Sequence, residues 1–116
     1  KYTTISEKNF EIIIEGMEQV VKNPKGTAHN VFNNKIEICG KTGTAQNPHG
    51  EDHSIFIAFA PKENPKIAIA VYIENGGWGS KWAAPISSLM IEKYLNIETN
   101  KLLEEFIING NLITKK

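Results

Sequence analysis

Residues 36–46 read Ile-Glu-Ile-Cys-Gly-Lys-Thr-Gly-Thr-Ala-Gln, and Ile36, Ile38, Thr42 and Thr44 alternate with charged or small residues. Alternation with a period of two predicts a β-strand, because successive side chains point to opposite faces of a sheet. This strand carries two glycines, at positions 40 and 43. Glycine weakens a strand interior, and one common reason for its presence is the close approach of a ligand or of another backbone.

Two further strands are predicted downstream. Residues 54–60 are apolar on both faces, which is typical of a central strand. After a turn at 61–66 with two prolines, residues 67–73 alternate large apolar side chains with Ala68 and Ala70. We expect the two strands to form an antiparallel hairpin, and a helix to pack closely on the alanine side.

Helices are predicted on both sides of these strands. Apolar residues three and four apart predict a helix over about residues 6–22, which Asn-Pro-Lys-Gly at 23–26 ends. A second helix begins near Pro85. Its apolar side consists of Ile86, Leu89, Met90, Tyr94 and Ile97. We expect that side to cover the alanine face, and a short third helix to follow over 102–107. The predicted fold class is therefore α+β, an antiparallel sheet of three strands packed against N- and C-terminal helices.

Length, charge and cysteine content exclude several classes of protein. The chain has 116 residues and a mass of 12.9 kDa, which permits one hydrophobic core. Equal numbers of basic and acidic residues, 13 of each, argue against nucleic acid as a partner. The single Cys39 closes no disulfide within the chain, and no Cys/His array suggests zinc. We expect no metal and no cofactor, and we interpret the chain, which begins without Met, as part of a longer polypeptide.

The densest group of chemically useful residues lies at positions 40–46, where a cation, two hydroxyls and two glycines follow one another. Thr42 and Thr44 point to the same side of a strand and could bind a carboxylate. Gly43 leaves room for a ligand along the strand, and the Thr44 N–H could donate to an oxyanion. Lys41 could neutralise an anion or pass a proton to a hydroxyl. Strict alternation, however, places Lys41 on the face opposite the two threonines.

Three other candidate sites in the sequence are weaker. A phosphate-binding loop fails on spacing, because the first glycine of that motif would fall on Lys35. A metal site from Cys39, His49 and His53 is weak, because both histidines lie in a polar loop. The tryptophans at 78 and 82 could wall a groove, but anchoring in the core is the expected role of both.

Four short sequence motifs, which follow one another from Gly26 onward, resemble the C-terminal part of the transpeptidase domain of class B penicillin-binding proteins. They are Gly26-Thr27-Ala28, Lys41-Thr42-Gly43-Thr44-Ala45-Gln46, Phe59-Ala60-Pro61 and Ile73-Glu74-Asn75-Gly76-Gly77. The resemblance extends from about Ser6 to Leu95 and implies an incomplete penicillin-binding, serine β-lactamase-like fold. It divides the chain into 1–96, the C-terminal portion of that domain, and 97–116, a tail with a short helix.

The resemblance implies a serine acyltransferase that attacks the D-Ala-D-Ala end of peptidoglycan stem peptides and is inhibited by β-lactams. Carried over by position, Lys41 and Thr44 would be catalytic. Thr42, Gly43, Thr44 and Gln46 would bind the substrate. The family also implies an anchor in the bacterial cytoplasmic membrane, with this domain on the outer side, and a cell-wall glycosyltransferase as a possible partner.

The sequence departs from the family in one essential respect. None of its serines begins the S-x-x-K or the S-x-N motif. We expect the nucleophile upstream in the same polypeptide and no covalent catalysis by these 116 residues alone. An alternative function is a non-catalytic module that binds a carboxylate or a peptide along the same strand edge, and a second alternative is a purely structural remnant in which Lys41 makes an ordinary salt bridge. Because part of the fold would be missing, we also expect an exposed sheet face and self-association of the isolated chain.

Overall fold

The computed structural model describes residues 2–112, and these form helix α1, three strands and two further helices. The elements are α1 (Glu7–Lys22), β1 (Cys39–Ala45), β2 (His53–Ala60), β3 (Ile67–Ile73), α2 (Ala83–Tyr94) and α3 (Lys101–Asn109), with a short 3-10 turn at His29–Val31 before β1. The predicted α+β class and element order are confirmed. Among the described residues, no helix has the length and apolarity needed to cross a bilayer.

The sheet is antiparallel throughout and has the order β1-β2-β3. The pairing places Thr42 opposite Phe56 and Phe56 opposite Val71, so that these side chains share one face. Strand β2 is central, as its apolar composition predicts. β1 starts at Cys39 rather than at residue 36, because the Glu37 carbonyl accepts from the Lys62 N–H, in the turn after β2, instead of joining the ladder.

The hydrophobic core lies on the face that carries Phe56. Helix α2 packs on this face of β2 and β3, and β1 contacts α1. Phe56 and Ile91 are fully buried there, beside the α1 residue Val21. The upstream part of the predicted α1 stripe remains exposed, with Ile13 at 62%. Helix α1 therefore meets the sheet only through its C-terminal turns.

The prediction that α2 covers the alanine face of β3 is wrong. Ala68 and Ala70 are exposed, whereas the large β3 side chains, such as Ile69 and Val71, pack against the core. Helix α2 buries Ala83, Ala84, Pro85, Ser87, Ser88, Ile91 and Glu92. Four of these seven buried α2 residues are alanine or serine, which leaves room for those larger β3 side chains. Met90 and Tyr94, which we expected to be buried, are exposed.

The ends of α2 are held by buried polar groups. At its start, the Ser54 hydroxyl donates to the Trp78 carbonyl at 2.9 Å and accepts from the Ala83 N–H at 3.2 Å. Near its end, the buried Glu92 carboxylate accepts from the Asn33 side chain and the Asn100 N–H, both at 2.8 Å. These contacts join the segments before β1 and after α2 to the same helix.

The two tryptophans have different environments. Trp82 is buried and stacks on Phe106 of α3, with ring centroids 4.9 Å apart. Gly110 lies against the same indole, where a Cβ would overlap its ring atoms. Trp78, in contrast, is 74% exposed. Core anchoring is therefore confirmed for Trp82 and wrong for Trp78.

Candidate functional site

Strand β1 forms one edge of the sheet, and within residues 2–112 no strand pairs with its outer side. Lys41, Thr42, Gly43 and Thr44 all lie within this strand, and Gln46 follows its last residue. An unpaired edge presents backbone N–H and C=O groups that another chain or a ligand can engage. The structure thus places the predicted site residues along one accessible rim.

The Lys41 ammonium reaches the edge of β1, although alternation places the lysine side chain on the face opposite the two threonines. Lys41 Nζ donates to the main-chain carbonyl of Thr42 at 2.8 Å. The long, flexible lysine stem bends from one face to the edge, which puts a positive charge beside the backbone of Thr42. In an extended strand, main-chain groups two residues apart point to the same side, so the Thr44 N–H faces the same edge as that carbonyl.

The two glycines of β1 serve different purposes. A Cβ at Gly40 would lie 3.0 Å from both Cε atoms of Phe56 and nearer still to Cζ, so Gly40 makes room for a core ring. At Gly43 the nearest side-chain atom would be Ile55 Cβ at 3.3 Å. Gly79 also approaches this backbone closely, since its own Cβ would stand 2.6 Å from the Gly43 oxygen. Gly40 is therefore a packing glycine, whereas at Gly43 a Cβ would meet only the Ile55 side chain, and the close approach to a backbone is made by Gly79.

The Thr42 side chain has a partner that the sequence analysis did not identify. Its Oγ1 lies 2.9 Å from Oγ1 of Thr27, in the segment between α1 and β1. Residues 27–35 show neither helical nor strand periodicity, and that pattern predicts no more than an ordered connection. The sequence feature that could have pointed to Thr27 is the motif Gly26-Thr27-Ala28, which belongs to the family resemblance but has no role assigned to it. A groove of about 390 Å³ between α1 and β1 is lined in part by Thr27 and Lys41.

A second charged group lies on α1, near Cys39 at the start of β1. Glu18 of α1 is nearly buried and accepts from Lys22 Nζ at 2.8 Å and from Lys62 Nζ at 2.6 Å. These hydrogen bonds lower the pKa of the Glu18 carboxyl below its ordinary value and raise the pKa of both lysines. The Lys62–Glu18 pair ties α1 to the turn after β2, and no sequence pattern indicates it, whereas the Lys22–Glu18 pair lies within α1 at a spacing of four residues.

Cys39 is not a substitute nucleophile. It is completely buried, and burial, followed by the nearby negative charge of Glu18, raises the pKa of its thiol to about 11. The thiolate is the reactive form, so a buried thiol with a raised pKa is inert near neutral pH. The serines Ser54, Ser87 and Ser88 are also buried, and the Ser54 hydroxyl is already engaged as donor and acceptor.

The structure does not assemble the weak metal site considered above. Cys39 pairs with Phe59 at one end of the β1–β2 ladder, whereas His53 pairs with Ala45 at the other end. The His53 Nδ1 accepts from the Asn75 N–H at 3.0 Å and is thereby part of a turn. Among the described residues, no three His, Cys, Asp or Glu side chains cluster as metal ligands would.

The sequence model of one protein family, described as penicillin binding protein transpeptidase domain, matches residues 1–92. The peptidoglycan D,D-transpeptidase MrdA of Haemophilus influenzae is 36% identical over 103 residues, which cover 75% of this chain and 16% of that protein. MrdA of Escherichia coli K12 is 38% identical over 86 residues, covering 60% of this chain and 14% of that protein. The chain thus spans less than a fifth of the length of these relatives.

Solved structures of similar fold come from the same group. The crystal structure of Pseudomonas aeruginosa PBP2 in complex with WCK 5153 superimposes with a TM-score of 0.75 at 38% identity, over 84% of this chain and 21% of that one. PBP2 in the Helicobacter pylori PBP2–MreC complex gives a TM-score of 0.68 at 31% identity, over 82% of this chain and 18% of that one.

Proposed function

The chain belongs to the penicillin-binding protein transpeptidase family, and from this premise we propose that it forms the K-T-G wall of the active site of a peptidoglycan D,D-transpeptidase. The observation that carries the proposal is the outer rim of β1, which no other strand of residues 2–112 pairs with. There the Lys41 ammonium contacts the Thr42 carbonyl, and Thr42 and Thr44 lie two residues apart on the same strand. A cation, a hydroxyl and an unpaired edge are what recognition of a peptide ending in a carboxylate requires.

In the proposed reaction, a serine hydroxyl attacks the carbonyl between the two D-Ala residues of a stem peptide and releases the terminal D-Ala. The acyl group then passes from the serine to an amine of a neighbouring strand. Lys41 supports the proton transfers and the negative charge that develop during attack. The Thr44 N–H donates to the oxyanion. Thr42, Gly43, Thr44 and Gln46 hold the substrate or a β-lactam along the rim.

The nucleophile is proposed to come from the upstream part of the same polypeptide, because no serine of this sequence begins S-x-x-K. Its absence makes the 116-residue chain inactive by itself. We also propose that residues 1–96 are the C-terminal portion of the transpeptidase domain and 97–116 a tail. The end of the family match at residue 92, before α3 begins, supports this division.

For the parent polypeptide we propose an anchor in the bacterial cytoplasmic membrane, with this domain on the outer side, where peptidoglycan is assembled. Its substrates are stem peptides, its inhibitors are β-lactams, and a cell-wall glycosyltransferase is a partner. The names of the relatives support the choice of substrate.

Labelling with a fluorescent penicillin tests the proposal. The 116-residue chain should give no labelled band and the longer polypeptide should give one. Lys41→Ala should weaken that band at least tenfold, because a charged group that faces the reacting atoms is lost. Lys66→Ala is the matched control, since the Lys66 side chain is exposed and makes no hydrogen bond or ion pair to the described residues. A labelled short chain, or a folded parent without label, would contradict the proposal.

The free edge of β1 also favours one alternative, a module that binds a carboxylate or an extended peptide without chemistry. This function needs no nucleophile. It predicts that the 116-residue chain binds a D-Ala-D-Ala peptide reversibly in calorimetry while the longer polypeptide is never acylated. Acylation of the longer polypeptide would exclude it.

Self-association of the isolated chain remains a further proposal. The sheet face opposite α2 exposes Ile57 and Tyr72, at 47% and 53%, next to Ala68 and Ala70. Contiguous apolar surface of this kind favours association. Sedimentation velocity should show dimers or larger species at tens of micromolar, and a compact monomer over that range would contradict the proposal.

A further inference from the structure

We infer that Thr27 is a positioning residue: it orients the Thr42 hydroxyl, which in turn binds the carboxylate of the substrate. This inference rests on the function proposed above. The contact that carries it is the 2.9 Å separation between the two Oγ1 atoms. Because the residues are 15 positions apart in sequence and lie on different elements, their meeting is a consequence of the fold.

The segment that carries Thr27 is held rigidly on both sides. A Cβ at Gly26 would lie 2.6 Å from the Gln19 carbonyl oxygen and nearer still to that of Val20, so only glycine fits against the end of α1. Ala28 is completely buried, and its N–H donates to the Val20 carbonyl at 3.0 Å. Gly26 and Ala28 therefore pack this segment against the end of α1, and Thr27 between them directs its hydroxyl toward Thr42 of β1.

The direction of the hydrogen bond follows from the chemistry of an anionic ligand. A carboxylate only accepts hydrogen bonds, so Thr42 must give it the single hydroxyl hydrogen that Thr42 has. The Thr42 oxygen is then free to accept, and Thr27 becomes the donor. A hydroxyl that accepts one hydrogen bond is polarised and donates more strongly to the next group. Meanwhile the Lys41 ammonium holds the carbonyl of Thr42, which fixes the same residue at its backbone.

The test uses the longer polypeptide and its rate of acylation by benzylpenicillin, whose free carboxylate is the recognised group. Thr27→Val removes the hydroxyl at nearly constant volume, and an uncharged hydrogen bond of this type corresponds to a rate lower by roughly threefold to tenfold. Thr27→Ser keeps the hydroxyl and should restore the rate. Thr99→Val is the matched control, because the Thr99 side chain makes no hydrogen bond within residues 2–112.

Two further arms separate positioning from a general structural role. In a Thr42→Val background, Thr27→Val should cause no additional loss, since the relay is already broken. With benzylpenicillin methyl ester, which lacks the anion, Thr27→Val should change the rate less than twofold.

The outcomes are distinguishable. A wild-type polypeptide that is not acylated at all overturns both the proposed function and this inference. Acylation at an equal rate in wild type and Thr27→Val overturns the inference alone. So does a Thr27→Ser variant as slow as Thr27→Val, or a loss that persists undiminished in the Thr42→Val background.

Discussion

Replacement of Gly40 by alanine should destabilise the chain by about 1–3 kcal/mol, the usual cost of forcing extra volume into a packed core. The added Cβ would lie 3.0 Å from both Cε atoms of Phe56 and closer to Cζ. Since carbon atoms settle at about 3.5–4.0 Å, the Cζ end of the ring would have to move by more than about 1 Å. Phe56 is completely buried between the sheet and α2, so the core offers no open space for that movement.

The strain should be specific to the phenyl ring. Phe56→Leu removes the clashing ring atoms and itself costs about 1–3 kcal/mol through lost burial and a cavity. If the clash is the cause, the Gly40→Ala/Phe56→Leu double variant should be at least about 1 kcal/mol more stable than the sum of the single effects. Chemical denaturation of the 116-residue chain, followed by circular dichroism, provides the four free energies of unfolding.

Gly16→Ala is the matched control for this cycle. A Cβ at Gly16 would have no atom within 4 Å, and the residue lies inside α1. Alanine is the better helix former by about 1 kcal/mol, so this variant should be more stable than wild type. A Gly40→Ala chain as stable as wild type, or strictly additive effects in the cycle, would refute the explanation that Gly40 makes room for Phe56.

Three other predictions concern charge, the tail and the thiol. Because the folded pKa of Glu18 is lowered from its ordinary 4.5, its stabilisation is present above that pH and lost as the pH falls below it. Glu18→Gln should therefore cost about 1–3 kcal/mol of unfolding free energy at pH 7, nearly as much at pH 5, and progressively less in denaturation at pH 4 and 3. Phe106→Ala removes the stacking partner of Trp82 and should increase hydrogen exchange in α3 while the sheet amides stay protected; unchanged exchange in α3 would count against that docking. Cys39, buried with a thiol pKa raised to about 11, should react with iodoacetamide only in denaturant, and rapid native alkylation at pH 8 would contradict its burial.

Local pattern was enough to predict the elements and their order. A period of two over residues 36–46 and 67–73, and spacings of three and four in the helices, are properties of single segments. The turn residues between them made the strand–strand connection short, and short connections favour antiparallel neighbours. The same reasoning placed Lys41 to Thr44 on one strand, because residue order alone decides which side chains share a strand.

Packing between segments was not predictable in the same way. Alternation states that Ala68 and Ile69 face opposite sides of β3, but it does not state which side meets a helix. In the structure, the larger β3 side chains, such as Ile69, face the core and α2. The buried Ala84 and Ser87 of α2 are small enough to accommodate them. The amphipathic spacing in α2 likewise did not predict that Met90 is exposed, because the outward side of a helix in an incomplete domain can also carry apolar residues.

The sequence by itself determined the identity and order of the groups on the β1 rim, since Lys41, Thr42, Gly43 and Thr44 are consecutive residues of one strand. The tertiary structure alone decided that the Lys41 ammonium reaches the Thr42 carbonyl and that Thr27 meets the Thr42 hydroxyl. The physical reason is that a strand fixes the direction of each side chain only within itself. Where a flexible lysine stem bends, and which distant segment comes to lie beside a hydroxyl, depends on how α1 and the sheet fill space together.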